Sequence, residues 1–208
     1  MTTVARAERG LLCDLALEVG PDAPTLSGDW TVRELLAHLV VRERSVWGAP
    51  GIVVPPLKAL TDKAVDRAGS GSFEELVEKV RHPRSPLALP GVDAAVNTIE
   101  FFVHHEDIRR AVPDWEPRDL PLHVQDVLWR LVRIAGRGLV RPAGVPVVIR
   151  RVDGGEASTL RKGEGAVEVT GLPSELVLFL YGRAQTHGVE FTGPDDAVRR
   201  LRRASLGF

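Results

Sequence analysis

The segment richest in side chains able to do chemistry is Asn97-Thr-Ile-Glu100-Phe-Phe-Val-His104-His105-Glu106-Asp107-Ile108-Arg109-Arg110. At about 100° per residue on a helix, Glu100 and His104 stack on one face about 40° apart, with Asp107 within about 20° of Glu100 on the other side. Val96 and Val103 edge this polar strip on one flank, Phe101 and Ile108 on the other. A carboxylate and an imidazole thus occupy the stripe that should face a core. An ionised carboxylate buried without a partner costs several kcal/mol, so it must be paired or bind a metal. Glu-x-x-x-His on an inward face is a way for helical bundles to present ligands, here at i,i+4 and not the i,i+3 of di-iron proteins. On spacing alone, a solvated surface couple remains the alternative.

A metal needs a third ligand, and His38, in Trp30-Thr-Val-Arg-Glu-Leu-Leu-Ala-His38-Leu, is the best candidate. It lies at the edge of the arc formed by Leu35, Leu39 and Val46, where a core histidine bonded to a backbone carbonyl is the alternative. Two imidazoles and one carboxylate leave open positions on zinc, as catalysis requires. The same donors suit Fe(II) or Ni(II). Asp107 is placed to orient His104 from behind, or to pair with Arg110 or Arg42. Arg42, one turn after His38, is placed to meet an anionic group of a cofactor or to form a salt bridge. His82 precedes a proline, His123 begins a helix and His187 sits beside Gly188. His105 points about 100° away from His104, which suits packing or capping. The single cysteine, Cys13, lies in an apolar run and reads as a small buried hydrophobe; it excludes an internal disulfide.

The elements that must carry these residues are legible in outline. Apolar spacing predicts a helix over about 3–18, stopped by Gly20-Pro21. A second helix opens at Thr31-Val-Arg-Glu34, which has the form of a capping box, and runs to about 47. Short helices are expected at about 57–68 and 73–81, then a loop with three prolines over 82–91. Long helices follow at about 92–112 and 119–140. The sum is a bundle of four main helices. After Pro142 the pattern turns β-branched, with strands expected at about 145–152, 157–162, 166–170 and 189–192. Asp153-Gly-Gly is a hairpin signal, and helices are expected over about 173–183 and after Pro194. The fold class is therefore α+β: a metal-binding bundle over 1–142 and a small α/β domain over 143–208.

The chain has 208 residues and a net charge of -1, with 27 basic and 28 acidic side chains, so it carries no footprint for a nucleic-acid backbone or a membrane surface. Arg199, Arg200, Arg202 and Arg203 are a local exception that reads as a solvated helix face, with a binding patch as the alternative. The charged opening lacks a secretory signal, and no apolar stretch approaches the roughly 18 residues of a membrane span. The expected location is the cytoplasm.

Taken together, Trp30-Thr-Val-Arg-Glu-Leu-Leu-Ala-His38-Leu and Glu100-x-x-x-His104-x-x-Asp107 resemble the mycothiol-dependent maleylpyruvate isomerase family, part of the DinB-like superfamily. The resemblance covers about 3–140, and the tail from about 145 is similar to that family's sterol-carrier-like domain. His104-His-Glu-Asp-Ile-Arg-Arg-Ala111 resembles in particular an actinobacterial branch better described as metal-binding than as a proven isomerase. The resemblance implies a zinc site at His38, Glu100 and His104 that ionises mycothiol or a related small thiol for attack on an electrophilic substrate. It also implies a role for an arginine of the second domain, which Arg183 best matches; a helix-end arginine meeting the macrodipole is the alternative. The activity implied is that of an isomerase or transferase, possession of the fold with a metal but no turnover being the other reading. A helical interaction protein with the three residues merely hydrogen-bonded is a third. Superfamily bundles often form homodimers, so a dimer is compatible.

Overall fold

The computed structural model describes residues 3–44, 65, 67–82 and 92–207. It contains two compact units, Met1–Glu116 and Pro117–Phe208. In the first, helix α1 (Val4–Val19) starts on Thr3, whose side chain accepts the Arg6 N–H, and stops at Gly20 with φ 86°. Helix α2 (Val32–Arg44) opens on the expected capping box: Thr31 N donates to Glu34 Oε2 at 2.7 Å and Glu34 N to Thr31 Oγ1 at 3.4 Å. Helix α3 (Phe73–Arg81) is capped by Ser72, and α4 spans Val92–Arg109. The expected end of the second helix at 45–47, most of the 57–68 helix and the proline loop from 83 to 91 lie outside the described residues.

Helix α4 packs along α1, while α3 lies against both α1 and α2. Leu12, Leu35, Leu36, Leu39, Leu76, Phe101 and Ile108 share one apolar core. Each such buried side chain contributes about 1.5–3 kcal/mol. The α4 residues from Phe101 to Ile108 are all buried, so the helix is enclosed on every face and not only along a stripe. Its polar groups must therefore find partners inside the unit. His105, expected to pack or cap, is held by Glu8 of α1, with Nδ1 3.0 Å from Oε2. Glu106 takes Arg110 Nε at 2.5 Å, and the Arg110 guanidinium lies over Trp115.

In the second unit, helix α5 (Leu122–Leu139) is followed by a short 3-10 turn, Arg141–Ala143, and a four-stranded sheet. The strands are β1 (Val147–Arg151), β2 (Ala157–Arg161), β3 (Val167–Gly171) and β4 (Glu190–Thr192), with spatial order β2-β1-β3-β4. β1 pairs antiparallel with β2 and parallel with β3, and β4 closes the edge antiparallel to β3. Helix α6 (Pro173–Leu180) follows β3, and α7 (Asp195–Arg203) follows β4. The hairpin expected at Asp153-Gly-Gly is formed, with Gly155 at φ 69° and its N–H on Arg151 O at 3.0 Å.

The sequence reading groups the helix at about 119–140 with the bundle, and puts the boundary at 142–143. The compact units instead separate at Glu116 and Pro117, ahead of α5. The apolar face of α5 (Val124, Leu128, Trp129, Val132) is buried, and the helix packs on α6 and β2. Gly136 permits that approach: a Cβ there would stand 2.9 Å from Leu160 Cδ1 of β2 and 3.3 Å from Leu180 Cδ1 of α6. The fold is mixed α+β. Among the described residues no helix is long and apolar enough to cross a membrane.

Candidate metal centre

Helices α2 and α4 bring His38, Glu100 and His104 together, with one candidate ligand atom from each lying within 4.8 Å of the others. His104 Nε2 stands 3.5 Å from Glu100 Oε2, and the His38 and His104 rings meet edge to face with centroids 5.7 Å apart. Ligands on a tetrahedral zinc with bonds of about 2.1 Å stand about 3.4 Å apart, a spacing the Glu100–His104 pair meets. The donor chemistry, two nitrogens and one carboxylate oxygen, suits zinc and also Fe(II) or Ni(II). Among the described residues this group offers three candidate ligand atoms, and a tetrahedral zinc takes four.

Charge states in the metal-free site follow from its surroundings. Burial, helped by the neighbouring His104, pushes the His38 pKa down to about 4, so this imidazole is neutral at physiological pH. Burial alone would raise Glu100, but the hydrogen bond with His104 and the charge of Arg42 overcome it and hold the carboxyl at about 2. Burial likewise opposes charge on His104, yet its bonds to Asp107 and Glu100 prevail and raise its pKa above the ordinary value.

His104 is gripped from behind. Its Nδ1 donates to Asp107 Oδ2 at 2.9 Å, and the same oxygen accepts the Ser27 hydroxyl at 2.7 Å. Asp107 is fully buried, so it acts on the site through His104. Of the roles expected for Asp107, orienting His104 from behind is the one this hydrogen bond fits; Arg110 pairs with Glu106, and Arg42 reaches Glu100. Arg42 Nε lies 3.5 Å from Glu100 Oε2 and its Nη1 donates to Asn97 Oδ1 at 2.8 Å. Among the described residues no hydrogen bond holds His38. Its ring lies instead against Trp30, at 5.0 Å between centroids.

Arg183 belongs to the second unit, just past α6, where its Nη1 donates to Tyr181 O at 2.6 Å. That is a helix-end environment. Cys13 is buried, with Sγ 3.8 Å from Val77 O, and burial pushes its thiol up to about 12. The chain's own thiol is thus protonated and shielded. Sequence reasoning missed Ser27, the ring contact of Trp30 and Asn97. The only local signal was a tryptophan directly before the capping box of α2, and nothing in the sequence ties Ser27 to Asp107, 80 residues away.

No protein-family model matches the chain, and no curated protein matches its sequence. Two solved structures match it over 92% of its length and 96% of theirs. One is a mutant of the mycothiol-dependent maleylpyruvate isomerase, at TM-score 0.62 and 15% identity. The other is described as the mycothiol-dependent maleylpyruvate isomerase, at TM-score 0.52 and 16% identity. The chain has the fold of that isomerase. At such low identity the likeness to the isomerase is one of architecture. It agrees with the resemblance carried by the His38 and Glu100–His104 motifs, which the same architecture places side by side.

Proposed function

We propose that this protein binds one divalent metal, zinc in the first instance, through His38, Glu100 and His104. With it the protein activates the thiol of a small cofactor, mycothiol or a close relative, for an isomerase or transferase reaction on an electrophilic substrate. The convergence of two imidazoles and a carboxylate from two helices carries this reading. The fold shared with a mycothiol-dependent isomerase supplies the choice of thiol.

When bound, the metal supplies a Lewis-acid centre at which a coordinated thiol is ionised at neutral pH. The chain's residues prepare that site. Burial keeps His38 neutral and its lone pair available. Glu100 stays ionised, held by His104 and the charge of Arg42. Asp107 accepts the hydrogen bond of His104 Nδ1–H and leaves Nε2 facing the cluster. Arg42 and Arg183 are proposed to meet anionic groups of cofactor and substrate. With Cys13 buried and protonated, the reacting thiol has to come from outside the chain.

Elemental analysis of the purified protein is expected to find about one metal ion per chain. His104→Ala should lose it while circular dichroism stays helical, and calorimetry should detect mycothiol binding only to the metal-loaded protein. Retention of metal at full occupancy by His104→Ala would remove the ligand set. Equal thiol binding with and without metal would remove the proposed chemistry.

A further inference from the structure

The segment between α1 and α2, residues 20–31, meets the His38 ring through Trp30 and reaches His104 through Asp107. Its base is pinched shut: Val32 N donates to Ala23 O at 2.9 Å, Arg33 N to Pro21 O at 3.0 Å, and Pro24 pairs with Thr31 in an isolated bridge. Its interior is organised by Thr25, whose hydroxyl donates to Trp30 O at 2.8 Å and accepts Ser27 N at 3.2 Å. Trp30 N returns to Ser27 O at 3.3 Å, across a turn that Gly28 allows with φ 64°. The tip is fastened to α4 twice at one residue, by Leu26 N on Asp107 O at 3.0 Å and by Ser27 Oγ on Asp107 Oδ2 at 2.7 Å.

We infer that this loop is a positioning device for the metal ligands, in which Ser27 aims His104 through Asp107 and Trp30 aims His38 through ring contact. The two arms differ in kind because the two rings differ in need. His104 sits between two carboxylates, and its single proton in the neutral ring can face either Asp107 at 2.9 Å or Glu100 at 3.5 Å. The Ser27 hydroxyl fixes Asp107 Oδ2 where it accepts from Nδ1, which keeps the Nε2 lone pair toward the cluster. His38 has no hydrogen bond among the described residues, so its orientation rests on packing between the Trp30 face and the His104 edge. Since Thr25 ties Ser27 and Trp30 to each other, the loop sets the two rings jointly. Ser27 and Trp30 act through the ligands and touch no substrate.

The zinc arm of the test rests on the metal reading proposed above; a second arm on metal-free protein does not. In the full chain, chelator competition is expected to show Zn(II) binding weakened about tenfold or more by Ser27→Ala, and likewise by Trp30→Leu. Ser27→Thr, which keeps the hydroxyl, is expected to bind as the parent does. In metal-free protein at a pH where both rings are neutral, nitrogen NMR should show His104 mainly protonated at Nδ1. Ser27→Ala should shift it toward the Nε2–H form that donates to Glu100, and Ser27→Thr should not. Ser27→Cys, a near-isostere and weaker donor, serves if Ser27→Ala does not fold. Parental zinc affinity and an unchanged tautomer in folded Ser27 variants would overturn the inference and leave the loop as a cover for the core. A tautomer shift in Ser27→Ala, found while the parent binds no zinc, would sustain the loop's hold on His104 and overturn the metal reading instead.

Discussion

In the proposed metal site His104 is the residue on which binding turns, because it would have to give up a proton before it could hold a metal. Glu100 lies near 2 and His38 near 4, so neither competes with a metal at neutral pH. His104 is raised above the ordinary histidine value of about 6.5, so it is the group that must deprotonate. The sign follows: protonation opposes binding, and metal affinity rises with pH until the His104 pKa is passed, then levels. The expected slope is about tenfold per pH unit over that rising range, from one displaced proton. It steepens below about 4, where His38 also takes up a proton. Calorimetry in buffers of different ionisation enthalpy counts the proton directly. A flat affinity between about pH 5.5 and 6.5, a range that lies below the raised His104 pKa, would show that His104 is not a ligand.

At the scale of elements, helices α2 and α4 present the candidate ligands, while neighbouring elements decide their rotation. The buried pair of Glu8 and His105 ties α4 to α1, and Arg9 of α1 pairs with Glu43 of α2. With those contacts in place, the face of α4 bearing Glu100 and His104 meets His38. In the second unit the comparable decision is steric, made where α5 crosses β2 at Gly136. Gly136→Val is expected to destabilise the protein by about 1–3 kcal/mol through overpacking against Leu160 and Leu180. Chemical denaturation monitored by circular dichroism would register it. Parental stability in that variant would mean that Leu160 moves aside at no cost. Metal affinity should be unchanged, since all three ligands lie in the first unit.

For the molecule as a whole, two compact units with the ligand cluster in one of them predict an uneven response to metal. At a free metal concentration of 100 times Kd, binding stabilises the folded state by about 2.7 kcal/mol. Hydrogen exchange should therefore slow by about a hundredfold for the most protected amides of α1, α2 and α4. The amides of β1 and β3 should be unaffected. Equal slowing in the sheet would mean that both units open in one cooperative step.

What could be read along the chain is what depends on near neighbours. The capping box at Thr31 and Glu34, the N-cap at Ser72, the Asp153-Gly-Gly turn and the pairing of Glu100 with His104 one helical turn apart are all settled within four residues. The strands expected around 145–152, 157–162 and 166–170 likewise fall on β1, β2 and β3, where valine-rich segments at β1 and β3 and the glycine turns between the strands carry the signal. The third candidate ligand stood apart from these: taken alone, His38 read more readily as a core histidine bonded to a carbonyl, and only the meeting of α2 with α4 places it beside Glu100 and His104. The allegiance of α5 also needed the tertiary structure, since an amphipathic helix buries its apolar face equally well on a bundle or on a sheet. Most of all, the contact of Ser27 with Asp107, that of Trp30 with His38 and that of Glu8 with His105 join distant segments. Helical spacing says which way a side chain faces, while the partner it meets there is chosen by the packing of the entire core.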